Sequence, residues 1–519
     1  MSNSYKVSGR PQRMSGSVGV DRMIKAMRYI LIIAVMLSCG ALPAGAETAN
    51  YEDTAVYADG FSNPENLDDG SRTTVAHSGA GNRVTLSRED GIAAVYIEFD
   101  RVPEPWSVTA SVWDEALKCG ENGFLHEYVD LSGLSNELPR ETVLTFKEGT
   151  AVGEIYAFSE GELPDWVQIW QPPCKEADLL LISSHSDDEQ LFFAGVLPYY
   201  AVERKLNVQV AYAVQHFEAN GASEHRRPHE QLDGLWTVGV RNYPVMSVFP
   251  DLYSESSDRD KALKQALSVY EAQGYTYQDF VDYISRCIRR FKPLVVVSHD
   301  LDGEYGHGTH VLCAKALGDA LAKAADPSWN SGTGDNSEAW QVEKTYLHLY
   351  PENRIVMDWD TPLESLGGKT PFQVTQEGFG CHKSQHWTWF YRWIYGTEAN
   401  PVVKASDIKT YSPCLYGLYD TKVGQDSAGG DFFENVRTYA QRAQDEAERL
   451  AAEKAEQERK ERLALEKAEL EAKRLENEKA KRVRYALIGI AAAAALLCGI
   501  IVCRHIRQRH GKREKVGRR

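Results

Sequence analysis

The chain has 519 residues, 43% of them hydrophobic and 25% charged, which is the balance of folded protein and room for two or three domains. Its formal net charge of −16 argues against a general affinity for nucleic acid. The charge is uneven, because residues 504–519 carry eight Lys/Arg and one Glu.

The first element is an apolar run from Tyr29 to Leu42, behind Arg22, Lys25 and Arg28 and ending at Ala44-Gly45-Ala46. A basic lead, a short apolar run and a small-residue site make residues 1–46 a secretory signal peptide. The run falls short of the ~20 residues a membrane span needs.

Residues 47–172 read as all-β. Ala94–Phe99 and Trp166–Trp170 are β-rich runs separated by turn residues. Asn66-Leu67-Asp68-Asp69-Gly70 comes early and Gly153-Glu154-Ile155 comes late. This order resembles the discoidin-like, galactose-binding-like β-sandwich modules, some of which bind glycans while others are only spacers, and it implies a sandwich without choosing between those roles.

From residue 173 to 430 the pattern changes. Leu179–Ile182 and Leu294–Val297 are continuous apolar runs and Val208–Val214 is nearly so, with helical stretches at Asp260–Tyr270 and Tyr277–Phe291. Buried strands alternating with helices predict an α/β domain with a Rossmann-like, mostly parallel sheet. Ligands bind such sheets beyond the carboxyl ends of the strands.

Two motifs stand at those ends. Ser184-His185-Ser186-Asp187-Asp188-Glu189 follows the first run, and Ser298-His299-Asp300 through His307-Gly308-Thr309-His310 follows the later one. By itself the first motif also fits a helix capping box, Ser186 with Glu189. Two His/Asp clusters on one sheet edge favour a metal instead: His185, Asp188 and His310 make three ligands and leave positions for water and substrate. These motifs resemble the PIG-L/LmbE-type N-acetylglucosaminyl deacetylases over roughly Ala177 to Gln385. Arg227-Pro228-His229-Glu230 and His382-Lys383-Ser384-Gln385 match the family's intervening and late motifs in order.

The resemblance implies one Zn²⁺ per domain held by His185, Asp188 and His310. Asp187 is then the general base, and His307 supports the oxyanion or protonates the leaving amine. Ser186 and Gly308 stand where the family usually has proline, and Thr309 where aspartate is common. Arg227, His299 and Asp300 are weaker candidates for substrate contact; an Arg227–Glu230 ion pair is an equal reading. The aromatic run His386–Trp393 suits a core better than a sugar platform.

Residues 431–485 form a charged helical stalk, with Glu456 and Lys460 spaced i, i+4. From Glu434 to Arg484 it would reach about 75 Å. Its apolar positions are mostly Ala without a strict heptad, so a coiled-coil dimer is the weaker reading and no oligomeric state is implied. Residues 486–503 hold no charge and predict one transmembrane helix, followed by a basic cytoplasmic tail at 504–519. The catalytic domain is then extracellular on a single-pass cell-membrane protein. Six cysteines outside the signal and the span permit disulfides in that compartment. The expected function is removal of acetyl groups from N-acetylated sugars or glycans. The alternatives are a metal-dependent amidase or esterase on another acylated substrate, and a glycan-binding surface protein.

Overall fold

A computed structural model describes residues 48–216, 226–330 and 338–514; the expected signal peptide lies outside them. Residues through Val436 form one compact unit and Arg437–Arg519 a second.

The first unit opens with eight antiparallel strands: β1 (Ala55–Ser62), β2 (Ala76–Ser87), β3 (Ala94–Phe99), β4 (Trp106–Thr109), β5 (Leu117–Cys119), β6 (His126–Asp130), β7 (Glu141–Thr145) and β8 (Ala151–Phe158). Their order is β5-β4-β7-β2-β8-β3-β6, with β1 on β2. The expected sandwich is therefore one hydrogen-bonded sheet rather than two separate layers. The reason lies in β2, whose Ala76–His77 end pairs with β8 while Arg83–Ser87 pairs with β7. One long strand thus joins both leaves, which enclose Val84, Leu86, Ile97, Val108, Leu144 and Ile155 in a common core. Trp166–Trp170 is not the expected strand. Trp166 packs edge-on against Tyr51 and Tyr156, while the Gln168 and Trp170 side chains bond to each other at 2.9 Å.

The α/β part contains β9 (Leu179–Ser183), α1 (Asp188–Leu191), β10 (Val208–Tyr212), α2 (Arg227–Thr237), β11 (Val245–Met246), α3 (Arg259–Ala272), α4 (Tyr277–Phe291), β12 (Val295–Ser298), α5 (Gly308–Ala325), β13 (Lys344–His348), β14 (Arg354–Val356), α6 (Pro371–Cys381), α7 (Trp389–Tyr395), the small hairpin β15 (Gly396–Thr397) and β16 (Asn400–Pro401), and β17 (Leu415–Thr421). The sheet runs β11-β10-β9-β12-β13-β17-β14. Pairings from β11 to β13 are parallel, and those of β17 with β13 and β14 are antiparallel. The α/β class holds: five adjacent strands pair in parallel, and the antiparallel β17 and β14 make the sheet mixed at one edge. β14 and β17 are part-exposed, so they lack the continuous apolar signature that marks buried parallel strands. Local signals set the helices: α4 starts in a Thr276/Asp279 capping box and ends near Arg289 and Arg290.

Helix α2 ties the two parts together. Arg72 pairs with Asp233 at 3.2 and 2.8 Å, and Gln168 donates to Asp233 at 2.7 Å. Nε2 of His126 lies 2.6 Å from Nδ1 of His229, with the rings stacked. Burial pushes His126 down to about 3, so it stays neutral.

The expected stalk starts later than residue 431 or Glu434. Glu434 caps a loop instead, accepting backbone N–H groups of Ser427, Ala428 and Gly429 at 2.6, 3.1 and 3.0 Å, while Phe432 stacks on Tyr200. The second unit is a single helix, α8 (Tyr439–Glu514), of 76 residues. The Glu456–Lys460 pair forms at 2.7 Å. This helix is long and apolar enough to cross a membrane. Among the described residues every cysteine is a free thiol, so none of the disulfides that the cysteine count permits is formed there.

Candidate metal centre and active site

The sheet places the site. β9 lies between β10 and β12, and the β9–β12 register sets Ile182 beside Ser298. The chain leaving each strand therefore starts side by side, and the backbone N–H of Ser184 donates to Nε2 of His299 at 2.8 Å.

Nδ1 of His185, Oδ2 of Asp188 and Nε2 of His310 form a triangle of 2.9, 3.1 and 3.2 Å. Tetrahedral ligands about 2.0–2.2 Å from a zinc ion stand about 3.3–3.6 Å apart, so these donors fit one divalent metal with little adjustment. Each histidine also has a carboxylate on its other nitrogen, as ligating histidines do. Asp251 lies 3.2 Å from Nε2 of His185, and Glu304 lies 2.7 Å from Nδ1 of His310. His307 and His299 widen the cluster, each completing a group of three possible donors within 4.8 Å.

Glu304 is the hub beneath it. One oxygen meets Nδ1 of both His299 and His310 at 2.8 and 2.7 Å, and the other meets Nδ1 of His348 at 2.7 Å. Burial would raise its pKa, but these histidines hold the carboxyl well below the usual range. Burial likewise opposes ionisation of Asp188, yet His310 and His185 hold it well below that range. His310 is pushed up to about 9 against burial, by Asp188 and then Glu304.

Asp187 is buried and not part of the triangle. Burial raises it to about 6, with Arg227 opposing and Asp188 adding to the rise. Its backbone φ of 155° with ψ of −23° is unusual for an L-residue, a strain that often marks working positions. Glu189 accepts the Asp187 N–H at 2.9 Å, and Ser186 meets Arg227 and His216 instead. The Ser186–Glu189 capping box does not form.

Arg227 donates to the Ser186 carbonyl at 2.6 Å and lies 3.7 Å from Asp187. It holds the turn that carries the acidic pair. Glu230, its expected alternative partner, accepts from Ser384 N and Oγ at 2.9 and 2.5 Å. His299 is buried under the cluster, bonded to Ser184 and Glu304, and Asp300 takes part through its backbone N–H to Glu304 at 3.2 Å. These bonds occupy both ring nitrogens of His299, so it does not offer the substrate contact expected of it. Nδ1 of His307 accepts the Thr309 N–H at 3.3 Å, which leaves its Nε2 as the protonated nitrogen.

The unusual Gly308 and Thr309 now have a cause. The loop carrying Asp251 packs on this turn: a Cβ at Gly308 would lie 2.1 Å from Ser254 Oγ and 2.5 Å from the Ala262 oxygen. Thr309 is buried and reaches the Leu252 carbonyl at 3.5 Å. The aromatic run is core on one side only: Phe390 and Trp393 pack on buried Phe192. Trp387, Trp389 and Tyr391 are 84%, 47% and 40% exposed, because only Ile394 of α7 is buried.

Sequence reasoning missed Asp251, Glu304 and His348. Glu304 stood inside the second motif and His348 at a strand end, so position offered a signal for both. Asp251 had none; only the fold of its loop brings it to His185.

Residues 180–321 match the family PIG-L: GlcNAc-PI de-N-acetylase. The matched segment runs from β9 into α5 and contains His185, Asp188 and His310. A 1D-myo-inositol 2-acetamido-2-deoxy-alpha-D-glucopyranoside deacetylase 2 of Frankia alni is 37% identical over 87 residues, 17% of this chain and 29% of that protein. One of the same description from Saccharopolyspora erythraea is 27% identical over 212 residues, 38% of this chain and 73% of its own. The chain thus spans well under a third of the first relative's length. Among solved structures, N,N'-diacetylchitobiose deacetylase from Pyrococcus horikoshii aligns with a TM-score of 0.32 and 13% identity, over 48% of this chain and 86% of that one.

Proposed function

We propose that this chain is a zinc-dependent hydrolase that removes the acetyl group from N-acetylglucosamine-type sugars or glycans at the cell surface. The observation that carries the reading is the close triangle of His185, Asp188 and His310 with the unligated, buried Asp187 beside it. The described activity of the PIG-L family and of the relatives supports the same bond.

The metal, when bound, would polarise the acetamide carbonyl and ease deprotonation of the attacking water. Asp187 takes the water proton, held in place by Arg227 and the Glu189 bond to its N–H. His307 offers its Nε2–H to the oxygen that gains charge at the tetrahedral stage. The C–N bond then breaks, and Asp187 returns its proton to the leaving amine, releasing acetate.

In this reading residues 47–172 are a galactose-binding-like module and 173–430 the deacetylase domain. Residues 439–485 are the stalk, 486–503 the span and 504–519 a cytoplasmic tail, which leaves the site extracellular. The test is acetate release from defined N-acetylated sugars by the full chain, before and after exhaustive chelation and zinc return. Activity on these sugars that is lost and then restored is expected. Absence of acetate from every such sugar, or activity that survives chelation, overturns the proposal.

A further inference from the structure

Aromatic rings that face water lie near the histidine cluster. Tyr253 is 70% exposed and its ring lies 5.8 Å from that of His307. Trp389, 47% exposed, packs 5.7 Å from Tyr305, and Tyr305 lies 5.5 Å from His307 and 5.4 Å from His310. Trp387 precedes it by two residues and is 84% exposed. It makes no ring contact among the described residues.

Tryptophan is seldom left this open, and scattered exposed apolar residues need no explanation. These are not scattered, since Tyr253 meets His307 and Trp389 meets Tyr305, which itself meets His307 and His310. Neither Tyr253 nor Trp389 is buried in a core. Pyranose rings with equatorial substituents present flat C–H faces, which stack on aromatic faces, while their hydroxyls stay in water. Ligand sites join such apolar faces to a few fixed polar groups, here the nearby histidines and acids.

We propose that Tyr253 and Trp389, with Trp387 two residues before it, are stacking platforms for sugars joined to the reacting one. The substrate is then an oligo- or polysaccharide of 2-acetamido sugars rather than a single sugar. This rests on the deacetylase reading and narrows it from any N-acetylated sugar to a chain.

The test uses the full chain in detergent and β-1,4-linked N-acetylglucosamine oligomers from the disaccharide to the hexasaccharide. For the wild type, kcat/KM should rise about tenfold with length, the scale expected of one or two aromatic contacts. Trp389→Ala, Trp387→Ala and Tyr253→Ala should each remove much of that gain through KM on the hexasaccharide, whereas Trp389→Tyr and Tyr253→Phe should keep it. Trp387→Ala guards against misfolding, since that ring supports no other. A flat length dependence in the wild type, or one unchanged in all three alanine variants, overturns the proposal. If no sugar releases acetate, the deacetylase reading fails separately. Calorimetric titration with the hexasaccharide then decides the platforms: lost affinity in the alanine variants supports them, and equal or absent binding sinks them.

Discussion

Arg72 in the turn before β2 and Asp233 on α2 form a two-point ion pair, at 3.2 and 2.8 Å. The same helix carries Arg227, which grips the Ser186–Asp187 turn from its other end. The β-sheet region is therefore braced against the helix that positions the proposed base. Asp233→Asn should cost about 1–3 kcal/mol, the scale of a partly buried charged bond left unmatched. It should also lower kcat on a soluble N-acetyl sugar by relaxing Arg227. Thermal unfolding together with kcat checks both; a stability loss with kcat unchanged would confine the pair to holding the fold.

Glu304 holds three histidines at once. Glu304→Gln cannot accept from all of them in the same way, since its amide nitrogen only donates. Metal affinity should fall about 10- to 100-fold, as for other partners of ligating histidines. Competition with a chromogenic chelator reads this directly, and unaltered affinity would remove Glu304 from the metal's support.

Adjacent carboxylates should separate in role. Asp188→Asn should lose metal, because Oδ2 is one corner of the triangle. Asp187→Asn should retain metal and lose turnover by about 10²–10⁴-fold, the range of general acid–base catalysis. Zinc content and acetate release measured on the same samples distinguish them. Equal metal loss in both would place Asp187 among the ligands.

Gly308 has no room for a side chain. Gly308→Ala should destabilise by about 1–3 kcal/mol through overpacking against the Asp251 loop. It should also weaken the hold of Asp251 on His185. Denaturant unfolding gives the first effect and metal titration the second; full stability would mean the loop moves aside at no cost.

Glu98 is buried beside Arg72, and burial outweighs that partner to push it up to about 7. A carboxyl raised in the folded state binds more protons folded than unfolded. Its contribution is complete below the unfolded value near 4.5 and is lost as pH rises through about 7. Between those limits the wild type should lose about 3 kcal/mol relative to Glu98→Gln, from 1.36 kcal/mol per unit. Unfolding curves of both proteins across that window test it, and parallel pH profiles would exclude Glu98 as the source.

The α/β class was legible in the sequence because buried strands leave unbroken apolar runs, as at Leu179–Ile182 and Val295–Val297. So was the meeting of His185, Asp188 and His310, because both motifs stand where such strands end, and the spacing His185–Asp188 falls within one turn. The apolar, uncharged segment at 486–503 identified itself by length alone. What the sequence could not supply depends on contacts between distant segments. The shared strand β2, whose two ends pair with different neighbours, fuses the two leaves of the β region. Asp251 meets His185 only because Gly306 and Gly308 let a separate loop approach. The aromatic run reads the same whether it faces the core or water, since periodicity records a helix's composition and not what covers it. Tertiary packing left Trp387 and Trp389 in the open.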